Sequence, residues 1–342
     1  MGLFSVFNKE IAMDLGTANS IVMHNDQIVI DEPSVVAIDT NKDNKIVAVG
    51  KEAKPYIGHE NDHIKTIRPL KGGVIADFEM AQHMIREFIK KANVTRSILS
   101  PALKMVICIP SGITNVEQRA VRESAEQAGA KEIRMIHEPM AAAIGIGLDV
   151  TAPMGHMIVD IGGGTSEIAV ISLGGIVCNK SIRVAGDEFN ENICEYMLAQ
   201  HYLKIGTPTA ERIKISVGSA ISELGDDAPE DFEAFGRDTG TGVPMSCRVS
   251  YKEVANALDK SITRVETAIL QALSETPPEL AADIYKEGIY LAGGGALLRG
   301  LDQRVSAKTK LKVHVADDPL RAVARGTGMA LKNLEKFDFL IR

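Results

Sequence analysis

The sequence predicts a duplicated mixed α/β fold, two similar halves in one chain. Three observations predict it. The same turn occurs twice: "MDLGTANSIVM" (13–23) and "VDIGGGTSEIAV" (159–170) each run apolar, Asp, apolar, Gly, Thr and then apolar again. Each copy stands in a run of short β-rich segments followed by helix and strand patterns. The 342 residues suffice for two domains of ordinary size, and 45% hydrophobic with 24% charged residues is the balance of a soluble globular chain.

The elements follow in order. "EIAMDLG", "SIVMHN", "QIVIDEP", "SVVAIDT" and "KIVAVG" are β-rich runs broken by Asn-Asp, Glu-Pro and Asn-Lys-Asp-Asn turns. Residues 79–93 carry Met80, Met84, Ile85, Phe88 and Ile89 at helical spacing, an amphipathic helix. "KMVICIP" (104–110) reads as a buried strand, and 115–129 as a helix capped by Asn115 and stopped by Gly129. "EIRMIHEP" is a strand ending at Pro139, with a helix over 139–147. The plan then repeats: strands "MIVDIGG", "SEIAVISL" and "GIVCNKSIRV", helices "DEFNENICEYMLAQHYLK" and "TAERIKISVGSA", and a long helix over 249–276. "GIYLAGG" (288–294) is a buried strand entering a glycine turn and a helix, "KVHVAD" a last strand, and 319–334 a last helix. The acidic, glycine-rich stretch 224–245 reads as a small peripheral hairpin or sheet.

A net charge of −7 argues against a general nucleic-acid binder, since such proteins neutralise phosphates with excess Lys and Arg. Cys108, Cys178, Cys194 and Cys247 have neither metal-ligand nor redox spacing; the first two sit in apolar runs as buried thiols. No secretory segment opens the chain, which reads as cytosolic and reduced, and the apolar stretch 140–148 is too short to span a bilayer. In "MGLFSVFNKE", Leu3, Phe4, Val6 and Phe7 share one face if helical; Val6 breaks the myristoylation pattern. Two readings of this segment stand, an amphipathic membrane foot or a tail that is disordered or packed.

The repeated turn carries the chemistry. Glycine at a turn's tip lets backbone approach an anion, and successive N–H groups form a donor nest for phosphate. The preceding acid repels phosphate unless a cation lies between, and Mg²⁺ is commonly held by one or two carboxylates together with phosphates. Asp14 with Gly16, Thr17, Ala18 and Asn19 is one candidate jaw; Asp160 with Gly162, Gly163, Gly164 and Thr165 is the other. Alone, either is better read as a plain tight hairpin; two copies, each joining buried strands, favour a polyphosphate gripped across a cleft. The chain has no G-x-x-x-x-G-K-[ST], and "GGGTSE" leads into a strand where a dinucleotide turn leads into a helix. In "LAGGGALLRG" (291–300), Gly293, Gly294 and Gly295 either let a base or sugar approach or serve helix–strand packing. Glu211 and Lys214, three apart in "AERIK", read first as a surface ion pair. Glu138 is either an acid favoured by a helix dipole or a group that orients a water.

Taken in order, "MDLGTANS", "VICIPSGIT", "IHEPMAAAIG", "VDIGGGTSEIAV" and "LAGGGALLRG" resemble the actin, heat-shock chaperone and sugar kinase superfamily. Within it the chain resembles the MreB family of bacterial actins, also through "RPLKGGVIADFE", "RAVRESAEQAGA", "VISLGGIV" and "AVARGTGMAL". The resemblance covers nearly the whole chain. It implies an actin-like duplicated ATPase fold, two domains around a nucleotide cleft, each with a core and a smaller subdomain: 1–144 plus 318–342 (small subdomain about 33–65) and 145–317 (small subdomain about 184–240). It implies a last helix that crosses back to the first domain. ATP and Mg²⁺ are the implied ligands, with Asp14 and Asp160 on the metal through water. Asp14, Gly16, Thr17, Ala18 and Asn19 match the first phosphate turn, and Asp160, Gly162, Gly163, Gly164 and Thr165 the second. Gly293, Gly294 and Gly295 match the adenosine turn, Glu211 and Lys214 the sugar and base lining. Glu138 matches the acid that positions the attacking water, with Thr165 and Asp160 beside it. His137 departs from relatives that carry a second acid there.

The functional expectation is a polymerising ATPase whose slow, Mg-dependent hydrolysis accompanies filament turnover. The resemblance implies homopolymer filaments at the inner face of the cytoplasmic membrane, organising cell-wall synthesis and rod shape with cell-wall elongation proteins as partners. The expected lipid contacts are residues 2–8, with Ile98 and Leu99 in a loop. A chaperone-like ATPase is disfavoured because the chain reaches Arg342 right after the last crossing helix; a small-molecule kinase is disfavoured because the cleft candidates are taken by nucleotide.

Overall fold

The computed structural model of the protein describes residues 10–92 and 103–341. The first half opens with a meander, β1 (Glu10–Leu15), β2 (Asn19–His24) and β3 (Gln27–Pro33). A small sheet follows, β4 (Val36–Asp39), β5 (Lys45–Val49) and β6 (Ile64–Ile67), then a short hairpin, β7 (Leu70–Lys71) and β8 (Val74–Ile75). Helix α1 (Phe78–Lys91), strand β9 (Leu103–Ile109), helix α2 (Asn115–Gln127), strand β10 (Ala130–His137) and helix α3 (Glu138–Gly145) complete this half.

The second half repeats the scheme with β11 (His156–Ile161), β12 (Ser166–Ser172) and β13 (Gly175–Ile182). Helix α4 (Gly186–His201), strand β14 (Leu203–Lys204), helix α5 (Thr207–Val217), and strands β15 (Phe232–Asp238) and β16 (Pro244–Val249) lead to the long α6 (Tyr251–Glu275). Then come α7 (Pro278–Glu287), β17 (Ile289–Ala292), α8 (Leu301–Thr309), β18 (Val313–Val315) and α9 (Ala322–Lys332). The duplication is visible in topology. One sheet has the order β3-β2-β1-β9-β10 and the other β13-β12-β11-β17-β18. In both, a three-stranded antiparallel meander is extended by two parallel strands.

Strand alternation builds the layers. In β1, Ile11 and Met13 face α1 and α2, while Ala12 faces the other way, against α3 and α9. In β11, Met157, Val159 and Ile161 face α4 and α6, while Ile158 joins the same α3–α9 core. Helices α3 and α9 therefore lie between the two sheets, shared by both halves. They cross at near-zero clearance: a Cβ on Gly145 would sit 1.8 Å from the Ala322 carbonyl oxygen, and one on Gly326 1.7 Å from that of Ala141. The last helix also packs on β1, β2 and β9, which is the crossing back that the resemblance implies.

Some expectations need correction. The cap of α2 is Thr114, whose hydroxyl accepts from the Glu117 N–H while the Glu117 carboxylate accepts from the Thr114 N–H; Asn115 is the first helical residue. The 293–295 glycines do not open an α-helix: they enter a 3₁₀ turn, Gly294–Leu297, and α8 starts only at Leu301. Helix α7 is an element that the sequence analysis does not assign; Pro278 occupies its first turn, where a missing N–H costs nothing. The last helix is shorter than 319–334, with Pro319–Arg321 forming a 3₁₀ turn ahead of α9. Stretch 224–245 does contribute to a small sheet, β14-β15-β16. Residues 2–8, Ile98 and Leu99 lie outside the described residues.

Candidate functional site

The alternation that sends Ala12 and Ile158 inward continues two residues on to Asp14 and Asp160. Both therefore approach the gap between the halves, at the carboxyl ends of the central strands, the usual place for ligands in open α/β sheets. Glu138 joins them as the first residue of α3. Asp160 is buried, while Asp14 and Glu138 keep a partly open face. Burial pushes Asp14 up to about 7. Burial, then the charges of Asp14 and Glu167, push Asp160 up to about 7. Burial, then Glu167, Asp160 and Asp14, hold Glu138 well above the usual carboxylate range. Clustered carboxylates without a cation resist ionisation in this way.

The two glycine turns face each other closely. A Cβ on Gly163 would lie 2.7 Å from the Cβ of Ala18, and one on Gly164 2.6 Å from Thr17 Oγ1. Only glycine lets these backbones meet. Thr17 is itself held: its hydroxyl accepts from the Gly73 N–H at 3.0 Å, so the β7–β8 hairpin rests on the same point. The amino end of α4 packs on the second turn, the Gly186 N–H donating to Gly162 O at 3.1 Å and the Asp187 N–H to Gly163 O at 2.7 Å. Asp187 also pairs with Arg68 of the first half at 2.9 Å, a second link between the halves.

The third glycine turn meets the same place. A Cβ on Gly293 would lie 2.3 Å from Asp160 Oδ1, and one on Gly295 would overlap the Ile161 side chain, whereas Gly294 faces Leu320. Lys214 reaches inward from α5 and donates to Gly186 O at 3.0 Å; burial lowers its pKa. No ion pair joins it to Glu211 among the described residues, so the surface-pair reading gives way to a lysine turned toward the second phosphate turn. Glu211 remains partly open, three residues away on α5. Asn19 is exposed at the start of β2.

The site fits a divalent cation. Asp160 Oδ1 is buried with no hydrogen-bond partner among the described residues, although a buried carboxylate oxygen normally has one. No cluster of three ligating side chains exists among the described residues, so the protein would offer one or two carboxylates and leave the remaining positions to phosphate and water, as Mg²⁺ prefers. A cavity of about 310 Å³ is lined by Ser111, His137, Met140, Asn179 and Phe339 among others, beside Glu138; none of the glycine-turn residues lines it.

A family model described as MreB/Mbl protein matches residues 8–338. The chain belongs to the MreB/Mbl family. It is 46% identical over 332 residues to the cell shape-determining protein Mbl of Bacillus subtilis (strain 168), covering 97% of this chain and 98% of that one. It is 46% identical over 334 residues to the cell shape-determining protein MreB of Escherichia coli (strain K12), covering 96% and 95%. The crystal structure of MreB5 of Spiroplasma citri bound to AMPPNP superposes with a TM-score of 0.89 at 35% identity, covering 96% and 97%. The fold of this MreB/Mbl chain is thus the actin-like one.

One buried group of the site escaped the sequence reading. Glu167, in β12, is fully buried and accepts hydrogen bonds from Ser111 and Ser181. Its signal was a lone charge in the apolar run "SEIAVIS".

Proposed function

We propose that this protein is an ATP-dependent, filament-forming bacterial actin, a slow Mg-dependent ATPase that assembles on the cytoplasmic membrane and organises cell-wall synthesis and rod shape. The observation that carries the ATPase reading is the pair of glycine turns meeting face to face with Asp14, Asp160 and Glu138 converging between the halves. AMPPNP in the related MreB5 and the cell-shape role in the names of the relatives support it. Among the described residues no helix is long and apolar enough to cross a membrane, so the proposed attachment is peripheral and falls to residues 2–8, with Ile98 and Leu99. Filaments follow if head-to-tail contacts between copies do not close. On this reading the chain divides into 1–144 plus 318–342 and 145–317, with small subdomains near 33–65 and 184–240; the two matching sheets support the division.

In the proposed mechanism, N–H groups of Gly16–Ala18 and Gly163–Thr165 hold the phosphates from two sides, with Thr17 adding a hydroxyl, while the Gly162 N–H closes the second turn on Thr165 O at 2.9 Å. Asp14 and Asp160 would hold Mg²⁺ through its waters; when bound, the ion neutralises phosphate charge. Gly293–Gly295, Glu211 and Lys214 line the adenosine side. Glu138, with the Thr165 hydroxyl, orients the attacking water in line with the γ-phosphate. Phosphoryl transfer has a loose transition state, so positioning of this kind supplies most of the catalysis.

Replacing Glu138 tests this directly. Glu138→Ala should bind ATP and polymerise, while phosphate release falls by roughly a factor of ten or more, the scale of a lost acid–base or orienting group. Its filaments should persist longer as ATP is spent, read by pelleting the same samples. Unchanged release removes Glu138 from the mechanism; loss of ATP binding as well marks it as structural.

A further inference from the structure

Glu167 has a position that packing alone does not explain. It lies in β12, every residue of which is buried, and a buried carboxylate is costly unless its oxygens are matched. Its hydrogen-bond partners among the described residues are neutral. Oε1 accepts the Ser181 hydroxyl at 2.6 Å, from the neighbouring strand of its own sheet, where Glu167 and Ser181 are paired in register. Oε2 accepts from Ser111, both the N–H at 3.1 Å and the hydroxyl. Ser111 belongs to the other half and follows β9. One carboxylate therefore ties loop 110–112 of the first half to the sheet of the second.

The loop packs closely on this contact: a Cβ on Gly112 would lie 2.9 Å from Ser181 Cβ. From the loop the chain of contacts runs to Glu138. The Pro110 carbonyl oxygen lies 3.4 Å from His137 Nδ1, and His137 immediately precedes Glu138. Pro110 and Thr165 both border Gly73, where an added Cβ would lie 3.0 Å from Pro110 Cγ and 2.9 Å from Thr165 Cγ2. Loop 110–112 thus touches the residue before Glu138 on the first half and, through Glu167, the strand that follows Thr165 on the second.

We infer that Glu167 is a positioning residue: by clamping Ser111 it keeps Glu138 of the first half in register with Thr165 of the second, and hydrolysis slows when that tie opens. The inference rests on the ATPase reading above. Glu167 makes no contact with nucleotide in it and acts through Ser111, Pro110 and His137.

The test is steady-state phosphate release by the full chain with ATP–Mg²⁺ for wild type, Ser111→Ala, Glu167→Gln, the double variant and Ser111→Thr. Expected is a fall in kcat of about tenfold with KM for ATP within about twofold, the pattern of lost transition-state positioning. The two substitutions should not add, because they open the same tie. Ser111→Thr, which keeps the hydroxyl, should recover most of the rate. Unchanged kcat, additive losses, or KM rising in step with the lost rate would overturn the assignment. If Glu167→Gln fails to fold, Ser111→Ala against Ser111→Thr still decides, since Ser111 sits in a partly open loop. Amide exchange at Ser111 separates the tie from the ATPase reading. Its N–H should be protected in wild type and exchange at least about tenfold faster in Glu167→Gln, with or without hydrolysis. A wild type that releases no phosphate refutes the ATPase reading; an unprotected Ser111 amide refutes the tie.

Discussion

Burial raises Asp14, and burial followed by the charges of Asp14 and Glu167 raises Asp160, and that has a sign for stability. An acid raised from 3.8 to about 7 binds its proton more tightly folded than unfolded. Its favourable contribution is complete below the unfolded value and is lost as pH rises from about 4 through about 7. The nucleotide-free protein should therefore be less stable at pH 8 than these two groups allow at pH 5. Asp160→Asn relieves this, so its ligand-free Tm at pH 8 should exceed that of wild type, by roughly 1–2 °C per kcal/mol relieved, and the gap should close toward pH 4. The same variant should lose most of the Tm rise that ATP–Mg²⁺ gives wild type, since that rise measures binding to the folded state. A full rise in Asp160→Asn would contradict the metal role. At this scale most of the candidate site was legible. The order apolar–Asp–apolar–Gly located both turns, and alternation of two sends Asp14 and Asp160 to the same inner face as Ala12 and Ile158. Glu167 was legible only as an anomaly, because its partner Ser111 lies on another strand's loop, and no local pattern announces a contact between halves.

The crossing of α3 and α9 is the element on which both halves turn. Helix propensity alone would favour alanine over glycine by about 1 kcal/mol. At Gly145 and Gly326 the facing atoms are backbone carbonyls, which cannot rotate away as side chains can. Gly326→Ala should thus destabilise by about 1–3 kcal/mol, the cost of overpacking a tight contact, measured as a lower denaturant midpoint with unchanged slope. A stabilised variant would show that the crossing has slack. Thr114→Ala removes the cap of α2 and should cost about 1 kcal/mol, whereas Asn115→Ala should be nearly neutral. Elements with strong periodicity, such as α1 and α6, were readable because their buried positions repeat every three to four residues. Helix α7 and the 3₁₀ turn at Gly294–Leu297 were not, since Pro277–Pro278 and a glycine run give the same signal for a stop as for a start.

For the whole molecule, one apolar core built on α3 and α9 is shared by the two matching sheets. The duplication was readable from the repeated turn, yet how the halves meet was not, since Arg68–Asp187 and Ser111–Glu167 join residues far apart in sequence. Membrane attachment is tested by deleting residues 2–8, which should abolish flotation of filaments with lipid vesicles and leave pelleting intact, because many weak feet on one filament add together. Flotation at full strength after the deletion would remove this segment from the role. The central claim, that hydrolysis belongs to a polymer, is tested most directly by phosphate release and pelleting measured together across a series of protein concentrations in ATP–Mg²⁺. The account predicts little release and no pellet below a threshold concentration, and release rising with pelleted mass above it. Release strictly proportional to protein at all concentrations, with nothing pelleting, would contradict it.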